Sequence, residues 1–366
     1  MEKDRYRILI SGGGTGGHIF PALSIANALR RHAKVDILFV GAENRMEMEK
    51  VPAAGYEIKG LPVAGFDRKR LWRNFGVLLK LRKSLSMARK IVKEFKPDLA
   101  IGVGGYCSGP TLKAAQKLGV PTLIQEQNSY PGVTNKLLAK KAEKICVAYP
   151  DLERFFPAEK IIMTGNPIRK DLLEKSLDNG KARESFGLDA ERPTLLVVGG
   201  SLGALTLNES LEKGLAELVD SGLQVIWQTG KNFGERGVKA AKGMKGVVVT
   251  KFINDMASAY AAADLVVSRA GAGSISELEI LGKPALLVPS PNVSEDHQRK
   301  NARALVDRGA AAYVDDTEAR EKLIPEIKRL MADKKALEDM GRNIKAMAER
   351  DSDDRIAEIA LSIIEK

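Results

Sequence analysis

Two segments half a chain apart carry the same device. Ile8-Leu-Ile-Ser-Gly-Gly-Gly-Thr-Gly-Gly-His18 is an apolar strand running into a glycine turn, and helical spacing follows from about Pro21 through Ala22, Ile25, Ala26 and Leu29. Thr194-Leu-Leu-Val-Val198 runs into Gly199-Gly-Ser-Leu-Gly-Ala204 and then into a helix through Leu207, Leu211 and Leu215. After each copy, short apolar strands alternate with helical patterns. Val35 to Val40, Leu99 to Val103, Thr122 to Ile124, Lys144 to Ala148 and Ile161 to Thr164 follow the first. Gln224 to Gln228, Val247 to Thr250, Asp264 to Val267, Ala285 to Val288 and Ala311 to Val314 follow the second. Strand–helix alternation predicts parallel sheets covered on both faces. The economical reading is α/β, two doubly wound domains, with a ligand cleft expected at the strand C-terminal ends. The boundary is expected after Gly165-Asn-Pro167, with the polar stretch Lys170 to Pro193 as linker.

Wholesale disorder, a fibre and a membrane span are excluded. Of 366 residues, 44% are apolar and 29% charged, near the globular average, and no apolar run approaches the ~18 residues of a span. Two cysteines, Cys107 and Cys146, predict a reducing compartment without disulfides. The charged start, Met1 to Arg7, leads directly into a strand with no apolar signal core, so a cytoplasmic location is expected.

Gly12, Gly14 and Gly17 satisfy G-x-G-x-x-G, and Glu43 closes the second strand, so a nicotinamide enzyme is one reading. The physical content is narrower. Glycines let backbone N–H groups approach an anion at a helix N-terminus, whichever anion that is. The Gly-Lys-Ser/Thr ending of ATP-binding loops is missing from both clusters. Gly102-Val-Gly-Gly-Tyr-Cys-Ser-Gly109 and Arg269-Ala-Gly-Ala-Gly-Ser274 add two further glycine turns after strands. Several such turns over both halves suit an enzyme with two phosphorylated ligands better than a dehydrogenase. His18, at a helix start beside an anion site, reads as a capping residue or a general base. Glu126, just past a strand end, is placed for a ligand contact. Ser274-Ile-Ser-Glu277 reads as a capping box, or Glu277 accepts from nucleotide sugar hydroxyls. Gln298 and Asn301, i and i+3, are expected on one helix face. Asp351-Ser-Asp353 reads as a helix-start cap, and no His/Cys cluster has metal-ligand spacing.

The net charge of +11 is concentrated in one place. Phe66 to Lys93 holds ten Lys and Arg against Asp67 alone. One basic segment points to one anionic docking face, not to nucleic-acid binding. If Trp72 to Lys93 is helical, Val77, Leu78, Leu81, Leu85, Ala88, Ile91 and Val92 form a core stripe. Trp72, Phe75 and Leu79 then share the opposite face with Arg82, Lys83, Lys90 and Lys93. That face is expected to dock on anionic lipid.

The glycine turns, with Gln125-Glu-Gln-Asn128, Gly165-Asn-Pro167 and Ser268-Arg-Ala-Gly-Ala-Gly-Ser-Ile-Ser-Glu277, resemble the MurG family of peptidoglycan glycosyltransferases over nearly the whole chain. The resemblance implies a GT-B fold: an acceptor and membrane-associating domain over residues 1–165, a UDP-N-acetylglucosamine-binding domain over 166–350, and a C-terminal helix, 351–366, packing back on the first domain. It implies inverting transfer of N-acetylglucosamine to the C4 hydroxyl of undecaprenyl-diphosphate-N-acetylmuramoyl-pentapeptide, giving lipid II and UDP at the cytoplasmic face of the cell membrane. Cell shape and division would depend on it, and other cell-wall synthesis enzymes would be partners. By motif, Gly13, Gly14, Gly104, Gly105 and Tyr106 would hold the acceptor diphosphate. Thr15, Gly16, Gly17 and Asn128 would approach the donor sugar, and Arg169 and Ser201 the donor diphosphate. Ile253 would recognise uracil through its backbone. Ala272, Gly273, Ser274 and Glu277 would take the diphosphate and ribose, and Gln298 with Asn301 the N-acetylglucosamine hydroxyls. Some members carry a bulky residue and Thr where this chain has Gly273-Ser274, so backbone contacts are expected there. His18 would be the base, with Glu126 or a substrate-assisted route as rivals. No cofactor and no protein metal site are implied; a divalent cation on the donor remains open.

Overall fold

The computed structural model describes residues 5–63, 75–168, 172, 178–200, 203–293 and 296–365. Trp72, Arg169 and Ser201, and the side chain of Phe75, lie outside the described residues. The chain divides into two compact units, Met1–Arg169 with Glu349–Lys366, and Lys170–Ala348.

The first unit contains β1 (Tyr6–Ser11), α1 (Gly16–His32), β2 (Val35–Ala42), α2 (Glu47–Ala53), β3 (Glu57–Leu61), α3 (Phe75–Phe95), β4 (Leu99–Gly102), α4 (Ser108–Lys117), β5 (Thr122–Glu126), α5 (Val133–Leu138), β6 (Lys144–Val147) and β7 (Ile161–Met163). Its sheet is parallel, in the order β3-β2-β1-β4-β5-β6-β7. The order reverses between β1 and β4, where Ser11 pairs with Gly102. The glycine loops that follow these two strands must therefore lie side by side at the carboxyl edge, the ligand position of doubly wound sheets.

Alternation along β1 sends Ile8 and Ile10 to one face and Leu9 to the other. Leu9 packs with Ala88, Ile91 and Val92 of α3. Ile8 and Ile10 pack with α1 and with a helix that follows the second unit, Ser352–Ile364, through its Ile356, Ala357, Ala360 and Leu361. Arg31 clamps that helix to α1 by pairing with Asp353 (2.7 Å) and Asp354 (2.6 Å). Close approach is built in: a Cβ at Gly165, which has φ +78°, would lie 2.3 Å from Glu349 Cβ.

Several expectations are corrected. Helix α1 starts at Gly16, five residues before Pro21, so His18 stands in its first turn. Only the second half of α3 reaches the sheet, so Leu78, expected in the core stripe, is 50% exposed beside Leu79 at 56%. Asp351 makes no side-chain cap at the Ser352 helix. The stretch 170–193 is not simply a linker, because Asn179–Ser185 is a helix of the second unit.

The second unit contains that helix as α6, then β8 (Thr194–Val198), α7 (Leu205–Asp220), β9 (Gln224–Gln228), α8 (Gly234–Ala240), β10 (Val247–Thr250), α9 (Met256–Ala262), β11 (Leu265–Ser268), α10 (Ala272–Leu281), β12 (Ala285–Leu287), α11 (His297–Val306), β13 (Ala312–Tyr313), α12 (Ala319–Ala332) and α13 (Lys334–Ala346). The Ser352–Ile364 helix is α14. The second sheet, β10-β9-β8-β11-β12-β13, is again parallel and reverses between β8 and β11. Its core includes Trp227, fully buried with its indole N–H on Asn208 Oδ1 (2.9 Å).

A polar clamp ties the amino edge of this sheet. Arg183 of α6 points Nη2 between the two Asp264 oxygens (2.9 Å to each) and donates through Nε and Nη1 to the Ala262 and Ala190 carbonyls. Asp264 also accepts from the Thr194 N–H (2.7 Å). Lys283 donates to the Ala263 carbonyl (2.9 Å), and burial pushes its ammonium down to about 8. Between pH 8 and the ordinary lysine range the unfolded chain holds a proton that the native chain has released, so this contribution to stability rises with pH. Urea unfolding followed by Trp227 emission, with Trp72→Phe removing the other indole, measures it. From pH 7 to 9.5 the wild type should gain about 1–2 kcal/mol relative to Lys283→Met.

Candidate functional site

In the first unit the loop after β1 is shaped from beneath by Glu47. Its side chain is fully buried and accepts from the Gly14 N–H (3.1 Å) and the Ala42 N–H (2.9 Å). One carboxylate thereby explains why two positions are glycine. A Cβ at Gly13 would lie 2.1 Å from Glu47 Oε1, and one at Gly41 would lie 2.6 Å from Glu47 Cγ.

The loop after β4 is pressed against the first. Val103 N donates to Ser11 O (2.8 Å), and a Cβ at Gly105 would lie 2.3 Å from Gly13 O. Gly104, at φ +95°, lies under the His18 ring, which leaves no room for a side chain: a Cβ there would be 2.9 Å from His18 Cε1. His18 is half-buried, with Nδ1 3.1 Å from Gln127 Oε1. Gly14, Thr15 and Gly17 are exposed around it, with Tyr106 57% and Phe20 40% exposed. The structure therefore brings together Gly13, Gly14, Gly104, Gly105 and His18. Cys107 lies directly under this site, but burial pushes its thiol up to about 12, which leaves it inert as a nucleophile.

Glu126, expected as a rival base, lies within a dense set of hydrogen-bond donors. It is 2% exposed and accepts from the Asn128 N–H (3.0 Å) and Nδ2 (3.2 Å), the Gly132 N–H (3.2 Å) and Asn135 Nδ2 (2.8 Å). Burial raises its pKa against the pull of these donors. Both oxygens are engaged by donors of the 128–132 loop and of Asn135.

In the second unit, Gly200 and Gly203 take positive φ (+84° and +85°), and a Cβ at Gly203 would lie 2.2 Å from Thr229 O. Ile253 is 4% exposed and its N–H donates to Gln228 Oε1 (2.9 Å). Its backbone amide is therefore engaged within the unit. Helix α10 begins at Ala272, so Glu277 stands too far along it for a capping box; its Oε2 accepts from Tyr260 OH (2.8 Å). Ala272, Gly273 and Ser274 form the first turn. Gln298 Oε1 accepts from Ser290 N–H (2.8 Å). Asn301, expected on a sugar-facing surface, is fully buried and reaches the Ala270 carbonyl at 3.4 Å; it ties α11 to the loop before α10. Arg269 is an ion-pair partner of Asp316 and donates to Val288 O and Pro289 O, so its charge is structural.

One electrostatic feature recurs in both units. Helices α1, α4, α7 and α10, which follow the four glycine loops, carry no acidic residue in their first turns. Most of the other helices share this feature, and at these four it leaves the positive helix end unneutralised. Among the described residues no group of three or more His, Cys, Asp or Glu side chains is placed to hold a metal ion.

Sequence reasoning missed Glu47 and Gln127. Glu47 lies in a segment with no apolar period strong enough to announce α2. Gln127 was within a quoted motif, but its role emerges only when β4, β5 and α1 meet.

Comparison with known proteins agrees with this arrangement. Residues 8–147 match the glycosyltransferase family 28 N-terminal domain and residues 194–356 the family 28 C-terminal domain, which defines a two-domain glycosyltransferase. A protein of Parabacteroides distasonis, named UDP-N-acetylglucosamine–N-acetylmuramyl-(pentapeptide) pyrophosphoryl-undecaprenol N-acetylglucosamine transferase, is 58% identical over 365 residues, covering 99% of each chain. A Bacteroides fragilis protein of the same name is 59% identical over 357 residues, covering 96% of this chain and 94% of its own. The crystal structure of Acinetobacter baumannii MurG superposes with a TM-score of 0.78 at 29% identity, covering 98% of this chain and 99% of that one. The chain belongs to the MurG family of glycosyltransferases.

Glu47 gives the site its first test. Glu47→Ala leaves the Gly14 amide and the buried Ala42 amide without their acceptor, at a cost of about 1–3 kcal/mol in urea unfolding. Glu47→Gln keeps an acceptor oxygen and should recover most of that loss, with slow hydrogen exchange at the Gly14 amide restored alongside it.

Proposed function

We propose that the chain transfers N-acetylglucosamine from UDP-N-acetylglucosamine to the C4 hydroxyl of undecaprenyl-diphosphate-N-acetylmuramoyl-pentapeptide, with inversion, giving lipid II and UDP. Near 58% identity over full length to proteins that bear this activity in their names carries the reading. The first unit takes the lipid-linked acceptor, its diphosphate on Gly13, Gly14, Gly104, Gly105 and Tyr106. The second takes the donor, its diphosphate and ribose on Ala272, Gly273, Ser274 and Glu277, with Arg169 and Ser201 on the diphosphate. Ile253 addresses uracil through its carbonyl, and Gln298 the sugar hydroxyls. Thr15, Gly16, Gly17 and Asn128 complete the donor-sugar contacts.

Inversion is a single displacement. The acceptor oxygen attacks C1 of the donor sugar from the face opposite UDP, and His18 removes the hydroxyl proton as the bond forms. Charge growing on the departing diphosphate meets Arg169 and the amino end of α10. No bound metal is assigned to the protein. With a soluble lipid I analogue and labelled UDP-N-acetylglucosamine, His18→Ala should lower kcat by about 10²–10⁴-fold. Proton NMR of the product should show a β-linkage; an α-linkage, or full activity in the variant, overturns the mechanism.

The chain works at the cytoplasmic face of the membrane as a peripheral protein. No helix among the described residues is long and apolar enough to cross a bilayer. Exposed Leu78 and Leu79, beside exposed Lys80, Arg82 and Lys83, support α3 as the docking face, with Trp72 and Phe75 preceding them. Apolar side chains insert while the cations meet acidic headgroups. In vesicle sedimentation, Trp72→Ser/Phe75→Ser/Leu79→Ser should weaken binding to anionic vesicles by about tenfold or more. Unchanged binding sinks this face as the membrane contact.

A further inference from the structure

We propose that Gln127 is a positioning residue that holds His18 in the tautomer with the proton on Nδ1, leaving Nε2 as the ring nitrogen that accepts a proton. The inference rests on the reading of His18 as the base and deepens it by naming the basic atom and what selects it.

The argument starts from two backbone carbonyls, which can only accept. Asn166 Nδ2 lies 3.1 Å from the carbonyl of Gln127, so the amide nitrogen of Asn166 must face it, and Asn166 Oδ1 faces the other way. That oxygen lies 3.0 Å from Gln125 Nε2, so Gln125 presents its nitrogen to Asn166 and its Oε1 to Gln127. Gln127 must answer with Nε2, and the two side chains are in hydrogen-bond contact in that sense. The second carbonyl gives the same answer independently: Gln127 Nε2 donates to Val103 O at 2.7 Å. With its nitrogen held twice, Gln127 turns Oε1 toward His18 Nδ1 at 3.1 Å. An amide oxygen has no proton to give, so Nδ1 must donate and therefore carries the proton. Amide orientations are ordinarily ambiguous, but a relay closed at both ends by backbone carbonyls leaves one solution.

Burial reinforces the selection. Gln125 is fully buried, Gln127 is 2% and Asn166 4% exposed, so water does not compete for these partners. Reversing one amide would set oxygen against oxygen at the next. The ring is also held from below, where Gly104 leaves no side chain between it and the backbone. A base on Nε2 needs its ring fixed and its other nitrogen occupied by an acceptor, and Gln127 meets both needs without adding a charge.

The chain has three histidines, so ¹⁵N-histidine labelling of the full-length protein, with His18→Ala to assign the signal, reads the tautomer directly. In the wild type at neutral to mildly alkaline pH, His18 should show a protonated Nδ1 and an unprotonated Nε2. Gln127→Leu should move it toward the Nε2-protonated form favoured in water. In the transferase assay the same variant should lose about tenfold or more in kcat, a part of what general-base catalysis supplies, with acceptor KM within about threefold. A wild-type His18 protonated on Nε2 overturns the proposal whether or not the variant folds. A Gln127→Leu protein that keeps the wild-type ¹⁵N pattern also overturns it. Full activity in His18→Ala would remove the base reading while leaving the ¹⁵N result to judge the tautomer.

Discussion

The tightest constraint in the first unit is the contact between two turns of backbone. A parallel sheet whose order reverses between β1 and β4 forces the loops after those strands together, with Ser11 level with Gly102. The loops then meet so closely that a methyl group at Gly105 would lie 2.3 Å from the Gly13 carbonyl. Glycine at these positions is thus required by the fold before any ligand is considered. Their amides, collected at one edge beside helix amino ends, are the by-product that chemistry uses. The second unit repeats the solution, with Gly203 against the Thr229 carbonyl.

Charge is distributed so that each end of the sheet has a separate task. No carboxylate stands in the first turns of α1, α4, α7 and α10 to neutralise the positive helix ends. Carboxylates appear one layer back. Glu47 sits beneath the first loop and Glu126 beneath the 128–132 loop, each holding backbone amides in place. At the opposite edge of the second sheet, Arg183, Asp264 and Lys283 clamp strand starts to α6 and α9. In the first unit, Glu47 and Glu126 are thus scaffolding for the loops above them.

Strands were legible wherever β-branched runs are buried on both faces, as in Thr194–Val198 or Thr122–Glu126. Edge strand β3 was not, because Glu57 and Lys59 are its solvent-facing residues and only Leu61 is fully buried. The start of α1 was hidden because glycines at 16 and 17 carry no helical signal, yet the anion-facing turn needs them. Leu78 misled because helical period reports a face, not whether a sheet extends beneath it. At the site, His18 and the glycines could be read from local pattern. Gln127 and Asn301 could not: both take their roles from residues distant in sequence, Val103 and Asn166 for one and Ala270 for the other.

Helix Ser352–Ile364 contributes Ile356, Ala357, Ala360 and Leu361 to the same core as Ile8, Ile10 and Leu29. The second unit is therefore an insertion within the first, and the ribosome delivers the pieces of the first unit at widely separated times. At roughly 5–20 residues per second, β7 waits about 10–40 s for this helix to be made. The second unit has its whole sequence once Ala348 is made, just before this helix, while the unit carrying His18 still exposes an apolar groove along α1. The unit that carries His18 is thus the later to mature. Nascent chains halted before residue 352 would present that groove to chaperones, with the sequence of the second unit already complete.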